Sequence, residues 1–322
     1  MFIAGDVGGT DTRLGVYAPA EGRPREVFSR AYHSHAYASF TDILETFLRD
    51  AGVPFTIDAA AIGVAGPVVA GHATLTNVTW DVSAAAITRL LGTGRVRLLN
   101  DLEALAGSVE VLAPDEVVVL QAGVVRADGH GAVIAAGTGL GEAFLHRVDG
   151  RLQPMPSEGG HADFAARTDR EAAFVRMMRS ERGRVEVEDV ICGPGLRNLH
   201  RFTHAGTACA AVPDAGMADA SAAISGAALT GNCSACVEAL SMFVDAYGAE
   251  AGNLALRGVA TAGVFIGGGI APKILPALQD GRFLDAFRAK GGMTALMNTI
   301  PVTVILNPRA GLLGAAVAAQ AL

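Results

Sequence analysis

Two short glycine-rich segments each follow an apolar run and precede an alternating one. The first is Gly5-Asp6-Val7-Gly8-Gly9-Thr10, and the second is Ala136-Gly137-Thr138-Gly139-Leu140-Gly141. Glycine lets a backbone turn tightly enough for its N–H groups to face phosphate oxygens, and each threonine adds a hydroxyl donor. Neither segment has the P-loop pattern, and either one alone is also typical of a plain hairpin turn. As a pair they predict the two halves of a phosphate clamp.

Two carboxylates lie where apolar runs end. Asp6 closes the first run, and we expect it to hold Mg²⁺ through water. Asp101 follows the run Val96–Leu99, and the carboxyl ends of buried strands open into the crevice where α/β sheets bind ligands. Phosphoryl transfer needs a base that accepts the hydroxyl proton, as Asp does in kinases. The alternative is that Asp101 caps a helix that begins at Leu102, and the two roles are compatible.

A third set of polar residues is suited to a hydroxyl-rich ligand such as a sugar. It comprises Ser157-Glu158-Gly159-Gly160-His161, with Glu188 further along and Asn77 earlier in the chain. Carboxylates accept hydrogen bonds and imidazole can donate or accept, so the set can bind hydroxyl groups. A polar loop with a solvated glutamate remains the alternative. For Trp80, three residues after Asn77, core packing is the simpler reading.

A further run, Gly267-Gly268-Gly269, lies between a predicted strand and a predicted helix. It allows a flat ligand such as adenine to lie on the backbone, or it allows a helix and a strand to pack closely. The sequence leaves both readings open.

The four cysteines include one C-x-x-C pair, Cys233 and Cys236. A structural zinc site needs four ligands, and no second pair stands at a suitable spacing. Leu240, Phe243 and Tyr247 continue the same helical face, so the sequence favours thiols that point into a core.

The remaining pattern predicts the elements that position these residues. Predicted strands and helices alternate through the first part, which indicates an α/β lobe. The expected strands there are Phe2–Ala4, Thr12–Tyr17, Arg25–Tyr32, Ala59–Ala65, Val96–Leu99, Val117–Leu120 and Ala132–Ala136, and the expected helices are Ser39–Asp50, Val82–Leu91 and Leu102–Val111. The second part is more helical, with expected helices at Arg170–Arg182, Leu196–Thr203, Ala218–Leu229 and Cys233–Arg257, strands at Ala262–Ile266 and Val302–Leu306, and a terminal helix to Ala321.

Composition narrows the class of protein. The chain has 322 residues, 51% of them apolar and 18% charged, which supports a sizeable core of one large domain or two lobes. A net charge of −7 without a Lys/Arg-rich run argues against nucleic acid or an anionic membrane as partner. The first residues lack a basic signal region, and the uncharged stretch Ala59–Gly71 is too short to span a bilayer. We therefore expect a cytoplasmic protein.

Taken together, these motifs resemble the bacterial glucokinase family, within the hexokinase, actin and heat-shock chaperone ATPase superfamily. The match is ordered and runs nearly end to end. Besides the segments above it includes Ala65-Gly66-Pro67, Leu75-Thr76-Asn77, Asn100-Asp101, Gly193-Pro194-Gly195-Leu196, Gly252-Asn253-Leu254-Ala255-Leu256 and Gly311-Leu312-Leu313-Gly314.

The resemblance implies a fold, an activity and residue roles. It implies an actin-like, ribonuclease H-like ATPase fold, with a small α/β lobe at 1–111 plus 301–322 and a large α+β lobe at 112–300. It implies transfer of phosphate from Mg-ATP to the 6-hydroxyl of glucose, and commonly a homodimer. Gly5–Thr10, Gly137, Thr138, Gly139 and Gly268 would bind the nucleotide, and Asp101 would be the base. Asn77, Asn100, Asp101, Glu158, His161 and Glu188 would bind the sugar.

Two positions depart from the family pattern. Asp11 stands where Asn is usual, and a carboxylate near phosphate repels it unless it points away or meets Mg²⁺. Ser157 stands where Gly is more common. The alternatives to a glucokinase are a kinase for another hexose or an amino sugar, and a non-catalytic sugar sensor or regulator. The sequence disfavours a regulator because the chain begins directly on the first strand, without a preceding helix-turn-helix segment.

Overall fold

The computed structural model describes residues 1–52, 56–75, 80–212, 214, 217 and 220–322. The chain divides into two compact units. The first comprises Met1–Pro114, Leu152–Pro156 and Asn307–Leu322, and the second comprises Asp115–Arg151 and Ser157–Leu306.

The elements are numbered in chain order. The strands are β1 Phe2–Val7, β2 Asp11–Ala18, β3 Arg25–His33, β4 Ala59–Val64, β5 His72–Thr74, β6 Asp81–Ser83, β7 Val96–Asn100, β8 Val117–Gln121, β9 Gly131–Ala136, β10 Leu140–Val148, β11 Arg151–Ser157, β12 Gly263–Gly267 and β13 Val302–Ile305. The helices are α1 Phe40–Asp50, α2 Ala84–Leu91, α3 Asp101–Ala106, α4 Asp169–Arg182, α5 Gly193–His204, α6 Ala220–Leu229, α7 Ser234–Gly258, α8 Leu275–Gln279, α9 Arg282–Arg288, α10 Thr294–Met297 and α11 Ala310–Ala321.

The first unit is built on a five-stranded sheet in the order β3-β2-β1-β4-β7. Strand β4 is parallel to both β1 and β7, whereas β2 is antiparallel to its neighbours. Every residue of β4 is buried, as expected for a strand covered on both faces. Ile62 packs into the cluster that contains α1, and Ala61 packs into the cluster that contains α11. The C-terminal helix therefore completes the core of the first unit.

Trp80 is 4% exposed and belongs to the first unit's core, as predicted. The expected helix Leu102–Val111 is too long, because α3 ends at Ala106 and a separate 3-10 turn covers Val109–Val111. Gly314 of α11 lies against the carbonyl oxygen of Ala104, so α11 crosses α3 at backbone contact distance there.

Five strands of the second sheet lie in the second unit, in the order β10-β9-β12-β13-β8. Strands β9, β12 and β13 are parallel, and β10 and β8 pair antiparallel at the two sides. The 25-residue helix α7 is mostly buried against this sheet. Its Tyr247 hydroxyl lies 3.3 Å from the carbonyl oxygens of Ile134 and Gly267. Strand β11, which crosses the unit boundary, was not predicted, and its Pro154 and Pro156 explain why it lacks a strand-like sequence.

Within the described ranges, no single helix is both long and apolar enough to cross a membrane. The helices α6 and α7 satisfy those criteria only as a pair bent by 103°.

Candidate active site

In the first unit, the predicted phosphate turn and the predicted base lie at the same edge of the sheet. Val7 pairs with Val64, and Val64 pairs with Asn100, so β1, β4 and β7 end together. Adjacent strands are spaced about 4.8 Å apart, which puts the end of β1 roughly 10 Å from the start of α3. Asp6 and Asp101 are therefore presented at one sheet edge, where α/β sheets bind ligands.

The first turn, between β1 and β2, is held by backbone and hydroxyl groups. The Gly8 N–H donates to the Asp11 carbonyl at 3.0 Å. Ser34, just after β3, donates from its hydroxyl to the Gly8 carbonyl at 2.8 Å, and its N–H donates to the Thr10 carbonyl at 2.8 Å. Thr10 itself is exposed. Ser34 was not singled out from the sequence, because it lies beyond β3, far along the chain from the turn.

The residues of the predicted turn have different environments. Gly5 and Val7 are buried within β1, whereas Gly8 and Gly9 are partly exposed. A methyl group at Gly5 would lie 2.8 Å from Ile62 Cδ1, so this glycine allows β1 and β4 to pack.

Asp6 lies near the end of β1, just before this turn. Its side chain is 26% exposed, and one oxygen lies 4.0 Å from Arg13 Nη1. Burial raises the pKa of Asp6, and the nearby Arg13 opposes that rise. A methyl group at Gly311, in the first turn of α11, would lie 3.4 Å from the carboxylate. The site fits Mg²⁺, because that ion typically uses one or two carboxylates together with water and substrate phosphates.

Asp11, the departure from the family pattern, has a partner. Its Oδ1 lies 2.9 Å from Nδ1 of His33, with which it pairs across β2 and β3. Its side chain is 37% exposed and that of His33 is 85% exposed. The carboxylate charge is thus directed at an imidazole that can neutralise it when protonated.

The sequence left open whether Asp101 is a helix cap or a catalytic group. The N-cap of α3 is Asn100, whose Oδ1 accepts the Leu102 N–H at 2.9 Å. Asn100 Nδ2 donates to the Gly66 carbonyl at 3.1 Å, so the amide positions the Ala65-Gly66-Pro67 segment. Asp101 Oδ1 also accepts the Leu102 N–H, at 2.8 Å. Both residues contribute to capping, and Asp101 is held in orientation by that contact.

In the second unit, the second glycine turn is closed by a carboxylate. Glu188 Oε2 accepts the Leu140 N–H at 2.7 Å. A methyl group at Gly139 would lie 2.5 Å from the same oxygen, whereas one at Gly137 would meet nothing within 4 Å. The Gly193 N–H, at the start of α5, donates to the Gly137 carbonyl at 2.9 Å. The structure thus brings Glu188 to the predicted nucleotide turn, with Thr138 exposed beside it.

The Glu158–His161 segment also packs against the start of β10. Gly160 lies against the Leu140 carbonyl oxygen, and its own carbonyl accepts the Glu188 N–H at 2.9 Å. Nδ1 of His161 lies 2.7 Å from Glu186 Oε2, a hydrogen bond that raises the pKa of His161. Both Glu158 and His161 are exposed. The segment, Glu188 and the second turn therefore form one connected group of polar residues.

Glu186 orients His161 and was missed by the sequence analysis. Its position two residues before Glu188 was the available signal, because alternate residues of an extended segment share a face. Glu142 was also missed. It is 1% exposed, and its Oε1 has no hydrogen-bond partner within the described part of the chain. Burial, with Glu250 as a second cause, raises the pKa of Glu142 to about 7.

Gly268 needs to be glycine for two reasons. Its φ is +84°, and a methyl group there would collide with the Ala136 carbonyl oxygen. The Ile270 N–H donates to that same oxygen at 3.2 Å. This geometry favours the close-packing reading for Gly268, while Gly269 beside it is exposed and has open space around it. Asn77, the remaining predicted sugar ligand, lies outside the described residues.

Comparison with known proteins identifies the family. The glucokinase family model matches residues 3–322. The chain is 36% identical to a glucokinase of Trichormus variabilis over 340 residues, which covers 100% of this chain and 99% of that one. The crystal structure of a glucokinase from an Antarctic psychrotroph matches with a TM-score of 0.88 at 30% identity, covering 100% and 99% of the two chains.

A more distant structure shares the fold. A ROK family glucokinase from Streptomyces griseus, in complex with glucose and AMPPNP, matches with a TM-score of 0.65 at 21% identity over 100% of this chain and 99% of that one. The predicted α/β fold of the actin-like ATPase class is confirmed by these neighbours. With a family match over nearly the whole sequence, the chain belongs to the glucokinase family.

Proposed function

We propose that the chain transfers the γ-phosphate of ATP to the 6-hydroxyl of glucose. One observation carries the proposal: in a chain that matches the glucokinase family over residues 3–322, the Asp6–Thr10 turn and Asp101 lie at the same edge of one parallel sheet. The Streptomyces griseus neighbour, which shares the fold, binds glucose and an ATP analogue together.

Asp101 acts as the general base. The 6-hydroxyl oxygen attacks the γ-phosphorus, the bond from that phosphorus to the β,γ-bridging oxygen breaks, and ADP leaves. The hydroxyl proton passes to the Asp101 carboxylate, as in other kinases. Support comes from the contact between Asp101 Oδ1 and the Leu102 N–H at 2.8 Å, which limits rotation of the carboxylate.

The first turn binds phosphate through the backbone N–H of Gly9 and the exposed hydroxyl of Thr10, while the Gly8 N–H, which donates to the Asp11 carbonyl, holds the turn in shape. Support comes from Asp11, the carboxylate directly after Thr10, which pairs with His33. Mg²⁺, held by Asp6 through water, would neutralise charge on the β- and γ-phosphates. Gly137, Thr138 and Gly139 contribute the second nucleotide contact, for which exposed Thr138 is the best-placed donor.

Glu158, His161 and Glu188 bind the sugar hydroxyls, with Asn77 and Asn100. A carboxylate that accepts a sugar hydroxyl forms a charge-assisted hydrogen bond, which is stronger than a neutral one. In His161, the bond from Nδ1 to Glu186 fixes the ring and leaves Nε2 to face a ligand. The Asn100 amide already has two hydrogen-bond partners within the protein: its Nδ2 donates to the Gly66 carbonyl, and its Oδ1 accepts the Leu102 N–H.

Assembly and location complete the proposal. We propose a homodimer, on the basis of the family resemblance, and a cytoplasmic location, because ATP is the donor. Light scattering of the purified chain tests the first point, and a mass of one chain would contradict it.

The central test is a coupled ADP-release assay with ATP and Mg²⁺ over a panel of hexoses and amino sugars. We expect the highest kcat/KM with glucose, and glucose 6-phosphate as the product detected by a specific dehydrogenase. Parallel reactions with ADP or polyphosphate as donor should be slow. Turnover with no sugar of the panel would refute the proposal, and a clear preference for another hexose would replace it with the alternative kinase.

A further inference from the structure

Five sulfur- and nitrogen-bearing side chains of the second unit converge away from the residues described above. We call His200, His204, Cys209, Cys233 and Cys236 the Cys/His cluster. His204 is the last residue of α5, and Cys233 is the N-cap of α7. Ligand atoms of His200, His204, Cys209 and Cys236 all lie within 4.8 Å of one another. The sequence showed no second pair of cysteines to complete a metal site with the C-x-x-C pair. In the structure, the further ligand atoms come from α5 and from the segment that follows it.

Three distances within the cluster match the edges of a tetrahedral metal site. Cys209 Sγ lies 3.8 Å from Sγ of Cys233 and 3.8 Å from Sγ of Cys236. Cys233 Sγ lies 3.4 Å from His204 Nε2. In a tetrahedron with Zn–S bonds of about 2.3 Å and a Zn–N bond of about 2.0 Å, the S–S edge is about 3.8 Å and the S–N edge about 3.5 Å. All four cysteines of the chain are free thiols in the structure.

The histidine is prepared for ligation by its own hydrogen bond. His204 Nδ1 lies 2.8 Å from the His200 carbonyl oxygen, to which it donates. That bond fixes the tautomer in which Nε2 carries a lone pair, the arrangement usual for metal-ligating histidine. The lone pair lies on the side of Cys233.

A second, independent observation points to the same place. His200 is 5% exposed and stacks on His204 with ring centroids 3.8 Å apart. Its Nε2 is buried without a hydrogen-bond partner among the residues that the structure describes. A buried polar atom left unpaired is costly, and such an atom commonly marks an ion or water site. His200 Nε2 therefore marks a polar neighbourhood around the cluster, and the fourth ligand position goes to Cys233, whose Sγ lies 3.4 Å from His204 Nε2 and 3.8 Å from Cys209 Sγ.

We propose that His204 Nε2 and the Sγ atoms of Cys209, Cys233 and Cys236 bind one Zn²⁺. Three thiolates and one imidazole are a common structural zinc set, and four protein ligands leave no open position for a substrate or water. His200 packs beside the site as a neighbour of His204. The sequence predicted thiols that point into a core, and Cys236 and Cys233 do pack there, so the proposal adds a metal ion to that position.

The role of the site is structural. It joins the end of α5 to the start of α7, two helices that are also linked by apolar packing and by a hydrogen bond from the Thr203 hydroxyl to the Ala235 carbonyl at 2.9 Å. The start of α5 contacts the second glycine turn through the Gly193 N–H, and the helix spans eleven residue steps, or roughly 16 Å. Zinc at one end of α5 would thus stabilise the helix whose other end supports the turn, without touching the reacting atoms.

The first measurement is metal content. The full chain, purified with reduced thiols from cells grown with added zinc, should contain one zinc per chain by mass spectrometry of the elements. The variants Cys209→Ser, Cys233→Ser, Cys236→Ser and His204→Asn should each lose it. Cys192→Ser is the matched control, because Cys192 is a buried cysteine that caps α5 instead of belonging to the cluster. His200→Asn should also retain zinc.

A second measurement keeps the proposal testable if ligand variants fail to fold. Cobalt exchanged into the unmodified chain should give the thiolate charge-transfer and visible d–d bands of a tetrahedral site. Removal of zinc should lower the melting temperature, and zinc added back should restore it, because metal binding to such a site contributes to folding. Three results would each overturn the proposal: a reduced chain that takes up no zinc or cobalt, zinc retained in Cys233→Ser but lost in His200→Asn, or a native disulfide within the cluster.

Discussion

The two glycine turns have similar sequences but different electrostatic surroundings. Thr10 and Thr138 occupy the same place in each, and the next residue is Asp11 in the first turn and Gly139 in the second. The first turn brings its own carboxylate, which pairs with His33. The second has none of its own, and the carboxylate of Glu188 comes from a distant segment to accept the Leu140 N–H.

This difference suggests a division of roles. A turn whose N–H groups are not engaged by an anion can bind phosphate, since the anion would compete for the same donors and repel the ligand. The carboxylate of Glu188, held in a fixed position beside the second turn, is suited to accept a hydrogen bond from a sugar hydroxyl. Changes at Asp101 should therefore affect the chemical step, and changes that displace Glu188 should affect sugar binding.

The largest effect is expected at Asp101. Asp101→Asn keeps the shape and can still accept the Leu102 N–H, but it removes the base. We expect kcat to fall by roughly 10²- to 10⁴-fold, with a much smaller change in the KM for glucose. Steady-state ADP release measures both. The melting temperature, as a control, should stay close to that of the unmodified chain, and near-normal turnover in this variant would refute the assignment of the base.

The second prediction tests the role of Glu188 by displacing its carboxylate while the residue itself is kept. In Gly139→Ala the added methyl group would lie 2.5 Å from Glu188 Oε2, so the carboxylate must move. If Glu188 binds the sugar, the KM for glucose should rise about 10- to 100-fold, the value of a charge-assisted hydrogen bond. Gly137→Ala is the matched control, because its methyl group enters open space. Equal effects of the two variants, or an effect on ATP alone, would contradict the division of roles.

The third prediction concerns Glu142, a buried carboxylate on the strand that follows the second turn, and the pH dependence of stability that it causes. The first turn has an apolar residue at the corresponding position. Leu14 and Glu142 stand four residues after the respective threonines, and both are buried. Burial favours the protonated form of Glu142 and raises its pKa from 4.5 to about 7. The folded state therefore binds this proton more tightly than the unfolded state. The free energy of unfolding contributed by Glu142 is highest below pH 4.5, falls as the pH rises toward 7, and is constant above that.

Glu142→Gln removes that dependence. We expect the variant to be more stable than the unmodified chain at pH 8, by about 3 kcal/mol, and little changed near pH 4.5. Urea unfolding at the two pH values measures the difference. Glu142→Asp, which keeps the charge, should show no stabilisation at pH 8. A loss of stability in Glu142→Gln at pH 8 would mean that the buried carboxylate has a stabilising partner.

Much of the fold was predictable because its signals are local. The apolar run before Gly137 predicted a buried strand, which was found as β9. The run before Asn100, apolar except for Arg97, predicted a strand that was found as β7, of which only Leu98 and Leu99 are buried. Pairing between distant segments was not predictable in this way. Ser34 on the first turn, Glu188 on the second and Cys209 beside Cys233 all depend on contacts made only after the chain folds. A residue's chemical type can be read from the sequence, but the group that it meets depends on tertiary structure.

The smallest effect is expected at Asp11, and it tests the first turn directly. Asp11→Asn removes a negative charge beside the phosphate site, so the KM for ATP should fall about two- to threefold at low ionic strength. His33→Gln should shift the KM for ATP in the opposite direction, because it leaves the Asp11 carboxylate without its partner. Both effects should disappear at high salt, since the pair is exposed and screened. If Asp11→Asn instead weakens ATP binding at every salt concentration, the Asp11 carboxylate assists nucleotide binding, for example by holding Mg²⁺. The two turns would then differ in metal binding and not in the charge that they present to phosphate.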